Sequence, residues 1–206
     1  MDEKTSLPSL LSPSPFRSLL KRHMQANPYA GIVTLATVEN GRPRARTVLF
    51  QGLAERADGS IGICIKTHSE SNKKAKVDSP AVEIVWWMES TSVQFRFAGD
   101  ISYTDEEQRQ RVWKSLNQGA KSQFFYNVAA GLDSSTQGPL FAQERKQARE
   151  QGFANPPRSF VVGVLMPQQV DFLDLTTLQR INWTVNEQGS WTEKKGFAPP
   201  VVSTAT

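Results

Sequence analysis

The sequence predicts a mainly β fold: a compact antiparallel barrel with short flanking helices. Three observations carry that prediction. Apolar, β-branched runs such as residues 31–38 (GIVTLATV) and 81–88 (AVEIVWWM) recur along the chain. Asn40-Gly41 and Asp58-Gly59 stand between neighbouring runs, as the turns of hairpins do. The runs follow one another directly instead of alternating with helices, which disfavours a parallel doubly wound sheet.

Taken in order, residues 1–14 are rich in Ser, Pro and Leu and read as a flexible arm, with 15–206 as a single domain. Ser14 as cap and Pro15 in the first turn open a short amphipathic helix. Phe16, Leu19, Leu20 and His23 form its core-facing stripe, and Asn27-Pro28 ends it. Strands follow at 31–38, 45–53 and 60–67. The segment HSESNKKAKVD then offers a helix capped by Ser69 or Ser71 and closed by Ser79-Pro80. Residues 81–88 read as a buried strand. Alternation over 92–103 gives another, with Gly99 marking a bulge. In 104–116 Thr104 caps a helix whose capping box is completed by Glu107. A short helix is expected at 121–128, a surface loop from Ala129 to Gly138, and a solvated helix in LFAQERKQAREQG. An interrupted strand over 159–166 and 170–175, and a hairpin of 180–185 with 190–195, close the chain.

Composition narrows the function. A chain of 206 residues buries roughly 70% of its unfolded surface and needs no covalent staples. No apolar run approaches the roughly 18 residues of a membrane span, and the acidic start of MDEKTSLPSLLSPSPF does not read as a secretory signal. Cys64 is the single cysteine, which forbids an internal disulfide and a thiolate zinc cage. A reducing, cytoplasmic setting is the default. The net charge of +4 is modest for a nucleic-acid binder. Rossmann, P-loop, G-x-S-x-G and H-E-x-x-H motifs are absent. His68 and Ser69, as sequence neighbours, lack the geometry of a triad.

The positive signal lies at three strand ends. Alternation sends Arg46, Val48 and Phe50 to one face of their strand. Lys66-Thr67 ends the next strand, and Ser71-Asn72-Lys73 opens the helix after it. Free amides at a helix start, hydroxyls and cations together suit a phosphate, which Arg46 could grip in bidentate fashion. The same residues also read as a solvated lysine run on an exposed helix.

In this order the pieces resemble the pyridoxamine 5′-phosphate oxidase-like family of FMN-binding split barrels, particularly a bacterial and cyanobacterial branch of it. The family's Arg-x-Val-Leu strand is matched by Arg46-Thr47-Val48-Leu49, and its Tyr/Lys-Thr strand end by Lys66-Thr67. Its Ser-Arg-Lys turn is matched by Ser71-Asn72-Lys73, and its later strand Gln by Gln94. The resemblance implies that Arg46 and Lys73 meet the FMN phosphate, assisted by Ser71 and Thr67. It implies that the Val48-Leu49 backbone lies against the isoalloxazine ring and that Gln94 bonds its polar edge. It also implies a homodimer with FMN at the subunit interface, to which Arg180 and Trp183 contribute. Trp183 equally reads as an ordinary strand aromatic, and Gln94 as a solvent-facing residue.

Departures bear on the substrate. The vitamin B6 oxidases carry Lys where this chain has Gln51 and Arg where it has Asn72. They carry Trp where it has Leu173, and Arg-x-His where it has Arg180-Ile181-Asn182. The expectation is therefore an FMN-binding oxidoreductase with an altered substrate pocket, without a metal, nucleic-acid or membrane partner. The alternatives are a genuine pyridoxamine/pyridoxine 5′-phosphate oxidase and a non-catalytic flavin-binding carrier or sensor.

Overall fold

Alternation along the first strand sorts its side chains. In β1 (Ile32–Glu39) Val33, Leu35, Thr37 and Glu39 are buried, while Ile32 and Val38 are exposed. The computed structural model describes residues 13–68, 80–125 and 134–197. Among them seven further strands follow: β2 (Arg42–Glu55), β3 (Ile61–His68), β4 (Ala81–Met88), β5 (Val93–Tyr103), β6 (Phe160–Asp174), β7 (Gln179–Val185) and β8 (Trp191–Phe197). All pairings are antiparallel, in the order β3-β2-β1-β4-β5-β6-β7-β8, and β3 also pairs with β6. That last pairing closes six strands into a barrel and leaves β7 and β8 as a hairpin extending from β6. The mainly β barrel expected from the sequence is the fold of the chain.

Inward residues of every barrel strand form one core, with Leu35, Ile63, Ile65, Ile84, Trp86, Phe95, Phe97 and Phe172 at most 2% exposed. Helix α1 (Arg17–Ala26) covers one end. Phe16, fully buried, sets its ring 6.0 Å from Trp183 and 5.5 Å from Trp191. A second apolar cluster lies outside the barrel, where Phe160 and Val162 of β6 meet Trp113 and Phe124. Trp113 belongs to α2 (Glu106–Ser115); α3 (Gln118–Ser122) and the 3-10 turn carrying Phe124 come next in the chain.

Several local readings change in the folded chain. Ser14 does not cap α1: its hydroxyl accepts from the Ile61 amide at 3.1 Å, and Phe16 is the capping residue, without a side-chain bond. A tertiary partner outcompetes the local one. The cap of α2 is Asp105, which accepts from the Gln108 amide at 2.8 Å, and not Thr104. A carboxylate next to the helix start is the stronger acceptor. The helix expected at 121–128 begins earlier, as α3 with a 3-10 turn over Gln123–Phe125, because Asn117 caps it through the Ala120 amide. The loop assigned through Gly138 gives way at Ser134 to α4 (Ser134–Glu150), since strong helix formers downstream carry the weak ones along. The helix expected after His68 lies outside the described residues.

The interrupted strand is one strand with a bulge. The register shifts between Ala98 and Gly99, so that Gln168 is the extra residue of β6. A methyl group on Gly99 would sit 2.1 Å from the Met166 carbonyl oxygen. Gly99→Ala should therefore cost about 1–3 kcal/mol, the usual cost of overpacking. Denaturant unfolding checks it, and an unchanged midpoint would refute the account.

His23 is buried against Phe95 and Phe172. Its Nδ1 shares a 3.1 Å hydrogen bond with Thr91 Oγ1, and its Nε2 is buried without a partner. Asn27 completes the knot, donating to Thr91 Oγ1 and to the His23 carbonyl and accepting from the Ser90 amide. Burial first, and the Arg22 charge second, hold the imidazole below its ordinary 6.5, against the pull of Asp174. The unfolded chain thus binds the proton more readily. Stability from His23 is complete above about pH 6.5 and is lost as pH falls through the lower folded value. In His23→Gln that acid-side decline in melting temperature should shrink; an identical pH profile would rule the mechanism out.

Candidate functional site

β2 divides its residues between the two surfaces of the barrel wall. Val48 is buried in the core and Phe50 packs 4.3 Å from Trp86, both facing inward. Arg46 shares that face, opposite Leu35 of β1, one step nearer the barrel mouth. Its guanidinium donates to Thr37 Oγ1 at 3.0 Å and to the Glu39 carboxylate. Thr37 and Glu39 are each only 6% exposed. Tyr103 of β5 faces the same end: burial pushes its phenol up, while the charge of Arg46 pulls it back. Thr67 is buried too and follows Lys66, which pairs with Leu49, so the register brings Thr67 beside Val48. Among the described residues the result is a polar barrel mouth formed by one cation, one carboxylate and three hydroxyl groups.

Other candidates occupy the outer surface. Thr47, Leu49 and Lys66 point away from the core, and Lys66 Nζ donates to Gln51 Oε1 at 2.9 Å. Gln94 also faces outward, in a row with Trp87 of β4, Leu173 of β6 and Arg180 of β7. Arg180 grips Asp171 through Nε at 2.9 Å and Nη2 at 2.6 Å, and this pairing raises its pKa. Arg96 grips Glu83 at 2.7 and 3.1 Å, and its Nη1 lies 3.8 Å from Asp171. A charge ladder thus crosses β4, β5, β6 and β7 beside a cavity of about 180 Å³.

Arg46 and Thr67 face the same end of the barrel interior, and Gln94 and Arg180 share a row of the outer surface with Leu173 between them, so the two pairs lie on different surfaces of one chain. Trp183 joins neither. It is 3% exposed, packs against Phe16 and donates to Glu193 at 2.8 Å, as a core aromatic does. Ser71, Asn72 and Lys73 lie outside the described residues.

Sequence reasoning missed Thr37, Glu39 and Tyr103 at the mouth. The available signal was Glu39 beside the Asn40-Gly41 turn, whose tight register returns the arginines of β2 to its side. Also missed was a groove of about 410 Å³ on the outer surface of β1 and β4, flanked by Tyr29, Ile32 and Trp87. These three are 96%, 61% and 45% exposed, an unusual apolar display for a lone domain. Among the described residues no group of three or more His, Cys, Asp or Glu could hold a metal, and no helix is long and apolar enough to cross a membrane.

With this geometry in view, comparison with known proteins is decisive. Residues 13–105 match the family described as pyridoxamine 5′-phosphate oxidase, FMN-binding domain. The pyridoxine/pyridoxamine 5′-phosphate oxidase 2 of Arabidopsis thaliana is 30% identical over 199 residues, which cover 88% of this chain and 96% of that protein. The chain belongs to the pyridoxamine 5′-phosphate oxidase-like, FMN-binding family. A pyridoxine/pyridoxamine 5′-phosphate oxidase from Burkholderia ambifaria is 33% identical over 156 residues, 72% of this chain and 69% of that one. Among solved structures, an FMN-binding, pyridoxamine 5′-phosphate oxidase-related protein from Nostoc punctiforme superposes with a TM-score of 0.73 at 28% identity, covering 90% of this chain and 98% of its own. PhzG of Burkholderia lata shares the fold at 18% identity, with a TM-score of 0.71 over 94% and 98% of the two chains. The family's split barrel is thus the barrel described above.

The buried Arg46–Glu39 pair sets a condition on any experiment at this site. Arg46→Ala alone leaves the Glu39 carboxylate buried and unpaired, which should cost on the order of 3 kcal/mol. The double variant Arg46→Ala/Glu39→Ala should recover most of that loss in denaturant unfolding. Equal midpoints for wild type and the single variant would show that the pair is not buried in solution.

Proposed function

We propose that this family member binds FMN at the interface of a homodimer and works as an oxidoreductase whose substrate pocket differs from that of the vitamin B6 oxidases. The polar barrel mouth carries the reading. Thr37 and Glu39 hold the Arg46 guanidinium there and leave it further N–H donors for a phosphate. Thr67 adds a hydroxyl group at the same end. Lys73 and Ser71 follow within a few residues of the end of β3 and complete the phosphate set on this reading. When bound, FMN supplies the redox chemistry, and the protein supplies orientation and tuning.

Two features support the dimer. Gln94 and Arg180 face away from the mouth, so a second copy is the source from which they reach a flavin held by Arg46. The apolar side chains Tyr29, Ile32, Val38 and Trp87 lie on the outer surface of β1 and β4 or just before it, adjoining the Gln94 row. A twofold interface of about 800 Å² per protomer would cover such a surface. Leu173, Gln51 and Asn182, which differ from the B6 oxidases, support the altered pocket. A genuine pyridoxamine 5′-phosphate oxidase is the second reading, supported by relatives of that name at 30–33% identity.

Purified protein should be yellow and hold about one FMN per chain. Lys73→Ala, and Arg46→Ala in the Glu39→Ala background, should each weaken FMN binding by about 1.5–3 kcal/mol, as expected for charged hydrogen bonds. Colourless protein that takes up no added FMN would end this reading, as would variants with undiminished affinity. Trp87→Glu should give monomers by sedimentation and lose flavin with them. Oxygen-dependent oxidation of pyridoxamine 5′-phosphate well above that of free FMN would favour the second reading.

A further inference from the structure

The connection between β4 and β5 is tied to α1 by side chains. Residues Glu89–Thr91 form a single 3-10 turn, and Ser92 closes it with φ 51°, a left-handed conformation that costs a serine energy. Such a turn keeps its shape only while its surroundings hold it. Asn27, the C-terminal cap of α1, accepts from the Ser90 amide at 2.8 Å and donates to Thr91 Oγ1 at 3.0 Å. His23 Nδ1 shares the same hydroxyl at 3.1 Å. Behind the turn, the Leu175 amide donates to the Ser92 carbonyl at 3.0 Å. His23 and Asn27 are both buried.

His23 is the member of this knot that can change charge near neutral pH. As a neutral ring it fits: Nδ1 engages Thr91, and Nε2 lies buried without a partner among the described residues. A protonated ring carries an N–H on both nitrogens, so the second donor would stand where no described acceptor does. Arg22, on the same helix, opposes the proton, and Asp174, at the end of β6, attracts it. Asp174 is itself engaged by the Thr176 and Thr177 amides. β5 and β6 face the imidazole with the rings of Phe95 and Phe172. Burial holds the folded imidazole below its ordinary 6.5, so the proton favours the released ring. The knot also borders the outer groove of β1 and β4, where Asn27, Glu89 and Ser90 join Tyr29, Ile32 and Trp87 in the lining.

We propose that His23, Asn27 and Thr91 form a pH-sensitive latch, in which protonation of His23 frees the Glu89–Thr91 turn from α1 and loosens the rim of the groove. That a loosened rim weakens the association of two copies rests on the dimer reading above; the latch itself does not.

Amide hydrogen exchange of the purified protein, compared between about pH 7.5 and about pH 5, reads the latch at the Ser90 amide. Corrected for the intrinsic pH dependence of exchange, Ser90 protection should fall roughly fivefold or more towards acid, while that of Ile84 in β4 holds. His23→Gln should keep Ser90 equally protected at both values. Thr91→Val, which removes the hydroxyl shared with the ring, should lose the pH response as well. In sedimentation the dimer dissociation constant should rise towards acid in the wild type and stay level in His23→Gln. Ser90 protection that ignores pH in the wild type, or falls equally in His23→Gln or at Ile84, would overturn the latch. A latch that opens at an unchanged dimer constant would overturn the link to association. Wild-type protein that is monomeric at about pH 7.5 would end the dimer reading and that link with it, while Ser90 exchange still decides whether the latch exists.

Discussion

The pairing of β3 with β6 is the constraint on which the molecule depends. Without it the eight strands would form an open sheet with two equivalent surfaces. With it six strands enclose a volume filled by Phe95, Phe97, Phe172, Trp86 and the isoleucines of β3. Every second residue then becomes either core or exterior, and a polar residue turned inward survives only at the end of the barrel. Arg46 and Thr67 are such residues. Their partnership is a consequence of closure, since β2 and β3 bring them to one rim only when the wall curves round.

Charge pairing follows the same geometry. The inward arginine meets a carboxylate four positions from its cross-strand neighbour, because Glu39 and Leu35 share a face of β1. On the outer surface the ladder of Glu83, Arg96, Asp171 and Arg180 alternates in sign strand by strand. Asp171 at its centre is 8% exposed and would be untenable without the guanidinium groups on either side. Burial and pairing are matched throughout this network.

Of the positions at which the sequence departs from the vitamin B6 oxidase pattern, three face that outer surface, and Asn72 lies outside the described residues. Gln51, Leu173 and Asn182 lie on β2, β6 and β7, whereas the mouth keeps its arginine and its threonine hydroxyl. Outward positions can be exchanged without disturbing the packed interior, whereas residues of the mouth are tied to it. The Arg46–Glu39 bond adds a structural reason for retaining the mouth. Loss of either partner is felt by the fold before it is felt by a ligand.

Much of the fold was legible in sequence. Periodicity and the Asn-Gly and Asp-Gly turns located the strands, and the loss of a side chain at Gly99 marked the bulge. Order and spacing of Arg46, Lys66-Thr67 and Gln94 pointed to the family. Helix starts were less legible: Ser14 is drawn to the distant Ile61 amide, and Asp105, not its neighbour Thr104, caps α2. Trp183 illustrates the same limit: as a strand aromatic it could have faced either way, and packing against Phe16 turned it inward. Sequence by itself determined which residues lie on a common face of each strand, because alternation is a local property of the backbone. Only the tertiary structure decided which of those faces is enclosed, and therefore which charges need partners, because enclosure depends on two strands nearly a hundred residues apart meeting edge to edge.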